Sequence, residues 1–267
     1  MRRAFALVLI ILLHLIPHAG RADAVGCDAP DLVLATGDAK EQVDALLKQS
    51  AACVRARKSA RAVAILTQII RNDPLNATAY LNRGSAQVTL GEAGFALGDY
   101  STALRLEPEM VEGWYNRGTT FMHMRRFEAA MGDFTEAIRL KPDFALAYCN
   151  RGLSEVELGR YDDALADYSF AIGEDQNLSY CHLNRANLYL ILGEYQKAIS
   201  DYTVALGRTS NAQALGRRGQ AYEAINQIQH ALDDYKAALE INPDLDSAQE
   251  GLARLTMQRK RSENGNK

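Results

Sequence analysis

The stretch WYNRGTTF, residues 114–121, contains the tripeptide Asn-Arg-Gly, which returns at 82–84 and at 150–152. Trp114 lies 34 residues after Tyr80 and 34 before Tyr148, and the same place is taken next by His182 and, one residue short, by Leu215. A fixed period of this length means a stack of similar units, each too small to bury its apolar face without its neighbours. With the aromatic as position 4 of each unit, position 8 is Gly84, Gly118, Gly152, Ala186 and Gly219. Position 20 is Ala96, Ala130, Ala164, Ala198 and Ala231, and position 27 is Ala103, Ala137, Ala171, Ala205 and Ala238. Small residues there let two antiparallel helices approach closely, while Tyr100, Phe134, Tyr168, Tyr202 and Tyr235 at position 24 fill the space between units. Pro108, Pro142 and Pro243 end the second helix.

This pattern resembles the tetratricopeptide repeat family, because several residue classes recur in register over roughly 180 residues. The resemblance implies an all-α fold, a right-handed α-solenoid of helix-turn-helix repeats closed by a C-terminal capping helix. Five units fit well, at 77–110, 111–144, 145–178, 179–211 and 212–244, and a degenerate one covers 43–76. The degenerate unit keeps Ala62, Leu66 and Pro74 but has Leu46 and Cys53 where aromatics are usual. Gln176 and Ser210 stand where the family has proline. Residues 245–267 repeat the first-helix pattern with Leu252 and Ala253 at positions 7 and 8, then turn basic and polar, as a terminal cap should.

The N-terminus has two arginines, an apolar run over 4–16 interrupted only by His14, a proline and then Ala22-Asp23-Ala24. That layout predicts a signal peptide over 1–24, cleaved after Ala24, with a short segment 25–42 before the repeats and a periplasmic or secreted mature chain. The run is short for a membrane span, so membrane anchoring is not expected; acylation of Cys27 after Ala24-Val25-Gly26 is the alternative. Cleavage removes three arginines and one aspartate, leaving 27 basic and 32 acidic residues and a net charge of −5. An acidic body does not suit nucleic acid, and none is expected as partner.

Four cysteines in an oxidising compartment raise the question of disulfides. Cys27 precedes the first unit and Cys53 sits inside its first helix, so a bridge would tie the N-terminal segment over the end of the stack; two buried thiols are the other reading. Cys149 and Cys181, at positions 5 and 3 of successive first helices, are expected to be free thiols, their backbones lying beyond disulfide reach.

Residues three and four apart share a helix face, which separates the members of the tripeptide. Position 8 faces the packed side, so glycine there is explained by packing. Position 7 is Arg83, Arg117, Arg151, Arg185 and Arg218, and every unit with this arginine has aspartate at position 23: Asp99, Asp133, Asp167, Asp201 and Asp234. The degenerate unit has neither, which predicts that the two side chains meet, within a unit or between neighbours. Position 6 is Asn82, Asn116, Asn150 and Asn184, with Arg217 in the last unit. In the resembled family this side lines a concave groove that holds a peptide, and an amide can bond an extended backbone whatever its sequence; helix packing is the competing reading.

The candidate groove is Asn82, Tyr115, Asn116, Met122, His123, Asn150, Leu153, Asn184, Asn187 and Arg217. Its apolar middle, with Glu112 and Glu157 interspersed and no lysine at positions 2, 5 and 9, predicts a protein or peptide segment, neutral or basic, with apolar side chains. His123, His182 and His230 occupy unrelated repeat positions, so no metal cluster, catalytic residue or cofactor is expected. The sequence predicts a non-catalytic binding scaffold of the periplasm or cell envelope, the alternative being a structural or lipid-anchored subunit of an envelope assembly.

Overall fold

The structure, a computed structural model, describes residues 26–27 and 39–265. The expected leader, 1–24, lies outside the described residues, as does most of the 25–42 segment. Thirteen helices and no strand are found among the described residues. The chain is an all-α helical repeat protein, and it divides into two compact units, 1–92 and 93–267.

The first unit contains α1 (Ala39–Arg55), α2 (Ser59–Asn72) and α3 (Ala77–Thr89). Leu46, Cys53, Ala62, Ile65, Leu66 and Ile69 of α1 and α2 form one buried cluster with Ala79 and Ala86 of α3. Cys27 is drawn into this cluster by a disulfide to Cys53, with a Cα–Cα distance of 4.6 Å. Removing loop-closure freedom over 26 residues of an unfolded chain stabilises a fold by roughly 3 to 4 kcal/mol.

The second unit contains α4 (Ala93–Leu106), α5 (Val111–His123), α6 (Phe127–Leu140), α7 (Ala145–Glu157) and α8 (Tyr161–Glu174). It continues with α9 (Ser179–Ile191), α10 (Tyr195–Leu206), α11 (Ala212–Ala224), α12 (Ile228–Ile241) and α13 (Asp246–Gly265). The expected repeat 77–110 is therefore divided, its first helix in one unit and its second in the other.

The small residues permit the close pairing. A Cβ built on Gly118 would lie 2.9 Å from the ring of Phe134, one on Gly152 3.0 Å from Tyr168, and one on Gly219 2.8 Å from Tyr235. Phe134, Tyr168, Tyr202 and Tyr235 are almost wholly buried, each burial worth on the order of 2 to 3 kcal/mol. Within each pair the turn puts position 15 in the left-handed region: Gly159 and Gly193, but also Arg125 (φ 58°) and Asn226 (φ 60°), with Arg57 (φ 58°) in the first unit. Arg126 N–H bonds back to the Phe121 carbonyl across this turn, a Schellman-type closure that recurs from Arg160 to Glu155 and from Gln227 to Tyr222.

Between pairs, the turn at Gln176 carries the same backbone bonds as the proline turn at Pro142: Asp175 to Ala171 matches Lys141 to Ala137, and Leu178 to Asp175 matches Phe144 to Lys141. At Ser210 the turn differs. There α10 is shorter by two residues than α8 or α12, and Asn211 caps α11 by accepting from the Ala214 N–H. The missing residue of that unit is absorbed here.

Candidate functional site

In the second unit, α5 touches α7, α7 touches α9, α9 touches α11 and α11 touches α13. No two of α6, α8, α10 and α12 touch. Rows of helices that touch on one side and separate on the other curve toward the touching side. The first helices therefore form the inner face, and their outward positions line it.

Behind this face runs the ladder that the sequence predicts. Arg117 donates from Nε and Nη2 to both oxygens of Asp133, each at 2.8 Å. Arg151 does the same to Asp167 at 2.7 and 2.8 Å, Arg185 to Asp201 at 2.7 and 2.9 Å, and Arg218 to Asp234 at 2.8 and 2.7 Å. The carboxylate thus belongs to the same repeat. The remaining Nη1 reaches the preceding repeat, donating to the hydroxyls of Ser101, Thr135, Ser169 and Thr203. In the first unit, Arg83 likewise donates to Thr67. These hydroxyls, all at position 25, were legible in the sequence as a repeated Ser or Thr and are absent from the sequence-based site. Each of the four arginines of the second unit is thereby held in two repeats at once, which uses the fork geometry of a guanidinium.

The inner face has a different tie at each junction. Asn150 Nδ2 donates to the Tyr115 hydroxyl at 3.1 Å, joining α7 to α5. Burial pushes the Tyr115 phenol up to about 12, with the nearby Tyr180 phenol adding to it. One repeat on, position 5 is Cys149 in place of tyrosine, and Cys149 is disulfide-bonded to Cys181 with a Cα–Cα distance of 5.7 Å. The expectation of free thiols is corrected: contact between α7 and α9 brings two backbones within reach that sequence position alone suggested were too far apart. With no hydroxyl at position 5 of the preceding repeat, Asn184 Nδ2 is buried without the tie that Asn150 makes to Tyr115. At the next junction Arg217 Nη1 donates to Asn187 Oδ1 at 3.1 Å, and the Tyr202 hydroxyl donates to the same oxygen at 2.6 Å.

The predicted site residues therefore divide. Tyr115, Met122 and Asn150 are each 6% exposed and form the floor, so Asn150 is corrected from an open amide to a buried inter-repeat tie. Asn116, Leu153, Asn184, Asn187 and Arg217 are half-buried and line the face, and His123 is exposed at its edge. Asn82 is half-buried on α3, in the first unit. Leu146, Leu183 and Leu190 are half-buried beside them, and Ile191 is 60% exposed. Glu157 is taken by Arg125 at 3.1 Å and Glu223 by Arg254 at 2.8 Å.

Glu155 escaped the sequence reading. It sits at position 11, where Phe121, Tyr189 and Tyr222 stand in other repeats, and is 6% exposed with Oε2 lacking a hydrogen-bond partner. Burial pushes its carboxyl up to about 7, the Asp167 charge adds to this and Arg151 opposes it. Among the described residues no group of His, Cys, Asp and Glu could hold a metal ion, and no helix is long and apolar enough to cross a membrane.

One tetratricopeptide repeat profile matches residues 111–144 and 212–245, and a second matches 47–96 and 149–213. The chain belongs to the tetratricopeptide repeat family. No curated protein matches it. Among solved structures, the tetratricopeptide fold of this chain resembles Pseudomonas aeruginosa pilF with a TM-score of 0.73 and 21% identity, over 80% of this chain and 98% of that one. It resembles PilW, a type IV pilus biogenesis factor, with a TM-score of 0.70 and 20% identity, over 79% of this chain and 98% of the other. It also resembles YrrB, a tetratricopeptide protein with an unusual peptide-binding site, with a TM-score of 0.59 and 21% identity, over 69% and 96%. At these identities the likeness is one of fold. Tetratricopeptide repeat proteins bind proteins or peptides, and the chain is a protein-interaction module of that kind.

Proposed function

We propose that the protein is a non-catalytic scaffold of the periplasm or cell envelope that holds an extended peptide segment along the inner row α5–α7–α9–α11. The observation that carries this reading is the half-open apolar strip Leu146, Leu153, Leu183, Leu190 and Ile191 on that row, with amides of Asn116, Asn184 and Asn187 beside it. Aliphatic side chains of a partner would fill the strip as an extended or helical segment laid along a groove does. Two disulfides support an oxidising compartment. The peptide-binding site named for YrrB supports the groove.

A second reading, a subunit of an envelope assembly, draws support from the fold likeness to a pilus biogenesis factor. The test pairs Leu153→Glu with Ile191→Glu on the inner row and compares them with Val204→Glu, 40% exposed on a second helix. Partner capture from an envelope extract lost only in the inner variants supports the scaffold. Capture lost only with Val204→Glu favours the assembly subunit.

A further inference from the structure

The inner row has an electrostatic asymmetry at α11. Where the preceding repeats have asparagine at position 6, the last has Arg217, half-buried against Asn187. Its hydrogen bond is to the neutral Asn187 Oδ1, which the Tyr202 phenol also fills. Two acids of the row, Glu223 and Glu157, are committed elsewhere. Arg254 holds both oxygens of Glu223 at 2.8 and 2.9 Å, with the Tyr235 hydroxyl donating to one of them. Arg125 holds Glu157, and each ladder arginine of the second unit has its own aspartate. Among the described residues, Arg217 is the cation on this face of α5 to α11 that has no carboxylate. A guanidinium carries five donors and prefers a planar carboxylate to amide oxygens, so the unmatched charge favours an acidic group.

We infer that Arg217 receives an Asp or Glu side chain of the bound segment, set beside aliphatic residues that occupy the strip at Leu183, Leu190 and Ile191. This rests on the groove reading above and changes its chemistry. The sequence predicts a neutral or basic partner, yet of the acids behind that expectation Glu157 is paired with Arg125 and Glu112 lies on α5, three repeats before Arg217. The row continues past α11 to α13, which touches it. A segment is therefore supported on both sides of Arg217, and the carboxylate is that of an internal side chain.

The test uses the full mature chain and a bead-displayed library of random octapeptides with blocked C-termini. The wild type is expected to enrich sequences with an Asp or Glu two or three residues from an aliphatic residue. For one selected peptide, Arg217→Gln should weaken binding about tenfold or more, and Arg217→Lys should restore part of the loss. Replacing the peptide's acid by its amide should weaken wild-type binding equally and leave Arg217→Gln unaffected. This peptide arm needs no protein variant, so it stands even if Arg217→Gln melts early through its lost bond to Asn187. Enriched peptides without an acid, or an Arg217→Gln variant as tight as wild type, would overturn the inference and leave the groove standing. Enrichment of no sequence would overturn both.

Discussion

Replacing Arg117 by leucine removes two charge-assisted bonds to Asp133, one bond to Ser101 and a guanidinium stacked 4.9 Å over the Trp114 ring. The Asp133 side chain is only 7% exposed and stays behind without its counter-charge. Leaving such a carboxylate stranded costs about 3 kcal/mol, set by its desolvation more than by the bonds themselves. For a helical unit of this size that lowers the melting temperature by roughly 6 to 12 °C. A double-mutant cycle with Asp133→Leu isolates the pair. The single variants should each be severe, while the double variant, with no buried charge left, should recover much of the loss and give a coupling of about 2 kcal/mol or more. Thermal and urea unfolding followed by circular dichroism provide the numbers. A cost below about 0.5 kcal/mol for Arg117→Leu, or additive single effects, would show that water reaches the carboxylate and that the ladder is ornamental.

Glu155 is neutral when folded near pH 6 because burial raises its carboxyl to about 7, above its ordinary 4.5. A raised carboxyl contributes stability below 4.5 and loses it as pH climbs through 7, so Glu155→Gln should gain roughly 1 to 3 kcal/mol over wild type at pH 8 and little at pH 4.5; parallel pH profiles would refute this. Alkylation of the denatured, non-reduced chain should label neither Cys149 nor Cys181, and the Cys149→Ser, Cys181→Ser double variant should lose about 3 to 4 kcal/mol for a 32-residue loop. Labelled thiols at both sites would restore the free-thiol expectation. Arg57→Gly, at φ 58° with an exposed side chain, should raise stability by about 1 kcal/mol through relief of a left-handed backbone; an unchanged denaturant midpoint would count against it.

The sequence by itself determined the repeat, the helix pairing and the Arg–Asp partnership, because each is written as a residue class recurring at one spacing. Gly118 and Phe134, or Arg117 and Asp133, meet at every turn of the period, so a one-dimensional pattern carries the three-dimensional contact. What departs from the period was left to tertiary structure. Asn116, Asn150 and Asn184 look alike in sequence, yet Asn150 is tied to Tyr115 one repeat earlier, and Asn184 lacks that inter-repeat tie because Cys149 stands where the tyrosine would be. The Cys149–Cys181 bond, the buried Glu155 and the unmatched charge of Arg217 depend equally on what the adjacent helix presents. A side chain's exposure and partners are set across the junction between repeats, where no single repeat contains both halves of the contact.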